Sequence, residues 1–148
     1  MGLTSEGLTW MNFAMLLTWV LASMACQTPT NTRRADISAP ADGKHTITVN
    51  FNYDFSKTPS CSETTKKMCV VQFNVYDISA GLKSRRNLFS VPAPPGETKL
   101  VKGITGKSPR LSLDPGKHEL AVTAQMSNGT ESNVDATTTW VDIPPNPK

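Results

Sequence analysis

His45-Thr46-Ile47-Thr48-Val49-Asn50-Phe51-Asn52-Tyr53-Asp54-Phe55 reads with a strict period of two. Ile47, Val49, Phe51, Tyr53 and Phe55 share one face, and Thr46, Thr48, Asn50, Asn52 and Asp54 share the other. Successive side chains of a strand point to opposite faces, so this alternation marks a strand with one side buried and one side wet. His45 opens the strand and is expected to face solvent. The same logic extends outward. Residues 70–78 form a second strand with Val71, Phe73 and Val75 on one face, and 88–91 a short third. Residues 110–113 and 117–126 follow, the latter pointing His118, Leu120, Val122 and Ala124 the same way. Residues 133–143, rich in Thr and Val, complete the set. The turns agree: Asp114-Pro115-Gly116 presets a tight turn, and Asn128-Gly129 between two strands is a strong hairpin signal. No part of 42–143 has helical periodicity. The expected fold class is all-β, a sandwich or a barrel.

At 148 residues the chain has room for one domain and a short appendage. A domain of roughly 100 residues buries an ordinary core without metal. Glu6 is the only charged side chain before Arg33, so the chain beyond residue 25 carries 15 basic and 11 acidic side chains. The basic doublets Arg33-Arg34, Lys66-Lys67 and Arg85-Arg86 are scattered and lack interleaved aromatics, which points to a solvated surface and away from a nucleic-acid stripe.

Residues 8–25 are mostly apolar and uncharged, a length that suits the core of a hydrophobic signal helix and its flank. Ser23 and Ala25 supply small side chains before Cys26, so a cut between Ala25 and Cys26 is expected, with 1–25 as signal peptide. Leu21-Ala22-Ser23-Met24-Ala25-Cys26 resembles the end of a bacterial lipoprotein signal, with Ser23 where that class usually carries leucine. The resemblance implies lipidation of Cys26 and membrane anchoring in a bacterial cell envelope. Simple cleavage with secretion, a single-span anchor and a purely structural Cys26 are the alternatives. Residues 26–41, with Thr-Pro, Arg-Arg and Ala-Pro, read as an extended tether. Residues 144–148, Pro144-Pro145-Asn146-Pro147-Lys148, form a tail that cannot continue a sheet, because proline has no backbone N–H. The domain is bracketed at 42–143.

Cys61 and Cys69 stand eight residues apart on a loop between two strands. A disulfide there stabilises by about 2–3 kcal/mol through loop-closure entropy and fixes the loop; the alternative is a redox or metal pair. Metal binding wants more ligands at set spacings, and His45 and His118 are the only histidines. His118 is expected to bond to nearby backbone rather than to act as a base. Asp54, Asp77, Asp114 and Asp142 are dispersed along strand ends without calcium-loop spacing, and no serine has a nucleophile-elbow context. Neither catalytic residues nor a cofactor site are expected. Trp140, the only tryptophan beyond the signal, is expected to make a core or edge contact; the alternative is a sugar-stacking platform with Tyr53 or Tyr76. Asn128-Gly129-Thr130 also fits a glycosylation acceptor, although in a bacterial protein it is simply a hairpin.

Three stretches carry a family resemblance. Phe73-Asn74-Val75-Tyr76-Asp77-Ile78-Ser79 resembles the third-strand motif of fibronectin type III domains. Residues 113–124, from Leu113-Asp114-Pro115-Gly116 to Ala124, resemble the family's turn into its sixth strand, and Asn128-Gly129-Thr130-Glu131-Ser132 resembles the hairpin after it. His118 stands where the family's corner tyrosine is expected, and Phe51 where the second strand commonly has tryptophan. The resemblance implies an immunoglobulin-like, fibronectin type III-like β-sandwich of about seven strands. It also implies non-catalytic recognition of a protein or glycan, with membrane contact only through the N-terminal anchor and no nucleic acid. Residues 80–87 and 92–97 are the expected contact loops. An accessory module of a secreted hydrolase system and a purely structural envelope component are the alternatives.

Overall fold

The computed structural model of the chain describes residues 27–31, 35–38, 42–134 and 138–145. The hydrophobic stretch 1–25 and Cys26 lie outside the described residues. Among the described residues the strands in chain order are β1 (Thr30–Asn31), β2 (Asp36–Ser38), β3 (Lys44–Asp54), β4 (Val70–Asp77), β5 (Arg86–Pro92), β6 (Leu100–Lys107), β7 (Leu111–Ser112), β8 (Gly116–Met126) and β9 (Thr138–Ile143), with a 3₁₀ turn at Leu82–Ser84. All pairings between these strands are antiparallel.

The alternating stretch becomes β3, the axis of the first sheet. Phe51 pairs with Asn31 of β1 on one edge and with Ile104 of β6 on the other; Thr48 likewise pairs with Asp36 of β2 and Lys107 of β6. The second sheet has the order β5-β4-β8-β9. Ile47, Val49, Phe51, Tyr53 and Phe55 are buried, and they meet Phe73 and Val75 of β4, Leu120, Val122 and Ala124 of β8, and Val141 and Ile143 of β9 in one core. Two antiparallel sheets around a shared core give a sandwich-like all-β fold. Phe73 is the hub of the centre, with ring centroids 4.8 Å from Phe51, 5.1 Å from Tyr53 and 6.1 Å from Phe55, all edge-to-face. Such pairs each contribute about 0.5–1.5 kcal/mol beyond the area they bury.

Four expectations need correction, and one strand, β6, has no counterpart among them. Part of the stretch expected as a tether, 26–41, is integral to the fold: β1 and β2 pair with β3, Ala35 is buried, and its N–H donates to Thr139 Oγ1 at 3.1 Å. Backbone pairing needs no apolar side chain, so the polar composition of this stretch concealed it. Leu100–Lys107 forms a strand although its sequence does not alternate. Gly103 adopts φ 69° beside the register shift at Phe51/Tyr53, and Gly106 sits against Val91. The expected strand at 110–113 contracts to Leu111–Ser112. In β4 a register shift between Val70 and Gln72 turns Val70 into the core and leaves Val71 exposed, so Val71 does not share a face with Phe73 and Val75.

His45 is the fourth. It lies on the inward face of β3, only 2% exposed, and neither ring nitrogen meets a hydrogen-bond partner among the described residues. An orphaned buried polar group of this kind costs about 1–3 kcal/mol. The period of two that places Ile47 inward places His45 inward as well.

Candidate functional site

The outer face of the second sheet concentrates organised polar chemistry. Phe73 and Val75 of β4 and Val122 and Ala124 of β8 point into the core, so Gln72, Asn74, Tyr76, Thr123 and Gln125 point outward. Across β4 and β8, Asn74 pairs with Thr123 and Gln72 with Gln125, which brings these side chains side by side. Gln72 Nε2 donates to Gln125 Oε1 at 2.7 Å and to Asn74 Oδ1 at 2.9 Å, and Ser90 Oγ of β5 donates to Asn74 Oδ1 at 2.7 Å. Each amide therefore has its orientation set by its neighbours.

Glu131 closes this array. The turn after β8 is a tight hairpin in which Met126 N–H donates to Thr130 O at 2.8 Å, with Gly129 at φ 84°. Beyond it Ser132 pairs with Ala124 through two bonds of 2.9 Å, which turns Glu131 over the outer face. Its carboxylate accepts from Asn74 Nδ2 at 2.7 Å, Tyr76 Oη at 2.8 Å and Thr123 Oγ1 at 3.1 Å, and Arg85 approaches to 3.5 Å. The Arg85 guanidinium also lies over the Tyr76 ring, 4.6 Å from its centroid. Burial pushes the Tyr76 phenol above its ordinary pKa, and its hydrogen bond to Glu131 pushes the same way. Beside this carboxylate a shallow groove of about 520 Å³ runs between the β4–β5 connection (Leu82, Arg85) and the β8–β9 connection (Glu131, Ser132, Asn133, Val134). Leu82 is 53% exposed at its rim.

The chain matches no protein-family model, no curated protein and no solved structure.

The two expected contact loops separate. Residues 80–87 supply one wall of the groove. Residues 92–97 leave the opposite end of β5, where Ser60 N–H donates to Glu97 O at 3.0 Å and Glu97 N–H donates to Ser60 Oγ at 2.7 Å. That opposite end also holds the Cys61–Cys69 disulfide, whose Cα atoms are 5.0 Å apart. The bridged loop is sewn to its surroundings: Cys61 N–H donates to Val70 O at 2.9 Å, and Ser127 N–H donates to Cys69 O at 2.8 Å.

His118 occupies the corner before β8. Nδ1 lies 2.8 Å from Asp77 Oδ2 and Nε2 2.8 Å from the backbone carbonyl of Asp114. Both ring nitrogens are thus engaged, one by a carboxylate and one by backbone, and the ring is held in place at the corner. Burial works against the Asp77 carboxylate, but the Ser79 hydroxyl and N–H, at 2.6 and 3.0 Å, and then His118 outweigh it and hold its pKa below the ordinary value. The dispersed aspartates thus do not gather: Asp54 accepts from Ser56 N–H at 2.9 Å, far from Asp77. Among the described residues no group of three or more His, Cys, Asp or Glu side chains is placed to hold a metal ion.

Trp140 is 40% exposed on β9 with Lys117 Nζ 3.7 Å above its ring, whereas Tyr53 and Tyr76 are buried. The three aromatics form no joint platform. Asn128 folds into its own turn, its Oδ1 accepting from Thr130 N–H and Oγ1 at 3.0 and 2.7 Å. Glu131, Gln72 and Gln125 escaped the sequence reading. The signal was the polar half of the alternation in 70–78 and 117–126, whose members meet only once the register of β4 on β8 is known.

Proposed function

We propose that this chain is a non-catalytic envelope protein, exported by its N-terminal segment, held at a membrane through Cys26, and presenting a fibronectin type III-like domain for recognition of a protein or glycan. The observation that carries the reading is the fixed polar face organised by Glu131 beside an open groove. Hydrogen-bonding groups already locked by their neighbours lose little freedom when a ligand docks, which favours binding without chemistry. Two further features support the fibronectin type III likeness. The strands divide between a sheet of β1, β2, β6 and β7 paired to β3 and the sheet β5-β4-β8-β9. His118 also reaches back to the Asp114 carbonyl, the bond that a corner tyrosine makes in related sandwiches.

The test places a photo-crosslinking residue at Leu82 in the full chain within its native membranes. The expected result is a discrete adduct that disappears with Arg85→Ala. An adduct pattern no different from that of a probe at Ser112, on the other sheet, refutes the reading.

A further inference from the structure

The end of the fold that carries the disulfide also receives the N-terminal chain. Thr30 pairs with Asn52 near the end of β3, and Gln27 and Thr28 line a groove of about 380 Å³ together with Asn52, Tyr53, Asp54 and Leu100. The chain is therefore already against this end at the residue that follows Cys26. Consecutive Cα atoms are about 3.8 Å apart, so an anchor at Cys26 leaves no spacer in which the domain can stand away from the bilayer.

What that end presents is basic and partly apolar. Lys57, Lys66, Lys67, Lys99 and Lys102 belong to it, against Asp54, Glu63 and Glu97. Lys66, Lys67, Lys99 and Lys102 are exposed and form no ion pair among the described residues; at the far end Lys44, Lys83 and Lys107 are likewise unpaired, but Arg86 pairs with Asp77 and Arg110 with Asp42. Leu100 is 52% and Val71 46% exposed at the same end. Unpaired ammonium groups within about 8 Å of an anionic surface lie inside the screening length at physiological salt, and lysine stems with neighbouring apolar side chains suit a headgroup layer.

We infer that the end bearing the β3–β4 and β5–β6 connections rests on an anionic lipid surface through Lys66, Lys67, Lys99 and Lys102, holding the domain in one orientation with the Leu82–Arg85 groove turned away from the membrane. The inference rests on the membrane attachment proposed above. Its consequence is that the two ends of the domain have separate tasks: one seats the protein, the other faces outward.

The test uses the full chain reconstituted into phosphatidylcholine vesicles with and without phosphatidylglycerol. Flotation reads attachment, and residue-resolved acylation of lysines by an amine-reactive ester reads orientation. The expected result is flotation with both lipids, and a fall of about three-fold or more in labelling of Lys66, Lys67, Lys99 and Lys102 on the anionic vesicles that high salt reverses. Lys83 and Lys107 at the far end keep their reactivity. In the variant K66E/K67E/K99E/K102E, Lys57 labels on anionic vesicles as readily as on neutral ones. Flotation with equal labelling on both lipids overturns the inference and leaves attachment standing. Failure to float overturns attachment, and the inference with it.

Discussion

Gly106 offers a sharp test of how the two sheets meet. It is buried in β6, and a Cβ added there collides with Val91 Cγ2 on β5 while coming to 3.3 Å from Val49 Cγ2 and 3.4 Å from Phe89 Cε2. Valine has little χ1 freedom with which to retreat. Overpacking of this kind costs about 1–3 kcal/mol. Gly106 does not have a positive φ, so alanine regains about 0.4–1 kcal/mol by restricting the unfolded chain. Gly106→Ala should thus lose about 1–2 kcal/mol, read in urea as a lower midpoint at unchanged slope and on heating as a fall in Tm of roughly 4–8 °C per kcal/mol. Val91→Ala alone should cost about 2 kcal/mol, from two buried methyl groups and the space they leave. The double variant is decisive. With the colliding methyl gone, the new Cβ fills part of the space, so the double variant should be about 1–2 kcal/mol more stable than additivity requires. A neutral Gly106→Ala, or strict additivity with Val91→Ala, refutes the close approach of β6 to β5.

Three further outcomes follow from other parts of the fold. Replacing Cys61 and Cys69 together with serine should cost about 2–3 kcal/mol in urea unfolding; wild type under reductant should match the variant, and no difference between them and the oxidised protein removes the bridge. The Asp77 carboxyl has a folded pKa below its unfolded value, so its stabilisation is present above pH of about 4 and is lost as pH falls through the folded pKa. The acid limb of a stability–pH profile should therefore flatten in Asp77→Asn, and an unchanged limb contradicts the assignment. Glu131→Gln should lower the Tyr76 pKa, because it removes the acceptor charge that opposes ionisation. It should also cost about 1–3 kcal/mol as the Asn74 and Thr123 donors lose a carboxylate partner. Phenol absorbance during alkaline titration checks the first and urea unfolding the second.

The core of β3 was legible because five apolar residues alternate without interruption, and period alone assigns their faces. The same rule already contained the burial of His45, which chemical habit assigned to solvent instead. What stayed hidden were features that need a partner strand. β1 and β2 are polar and short, and β6 is broken by two glycines that serve geometry rather than hydrophobicity. Glu131 is invisible as a site until β4 and β8 are laid in register, because its donors come from residues 74, 76 and 123. The corner was half legible: the Asp114-Pro115-Gly116 turn placed His118, but nothing local linked it to Asp77, 41 positions away.

The margins of both sheets bear on how copies of this protein behave when crowded. Ala93 N–H points inward to Val71 O at 3.1 Å, so the preceding position, Pro92, turns its missing donor toward the open side of β5. On the first sheet β1 and β2 offer two and three residues, and β6 carries Lys102 and Lys107 together with the bent Gly103. None of these margins presents a long, flat, uncharged row of open backbone groups, the template that recruits another chain into a shared sheet. At these margins, neighbouring copies meet at charged or interrupted borders that are poor templates for a shared sheet.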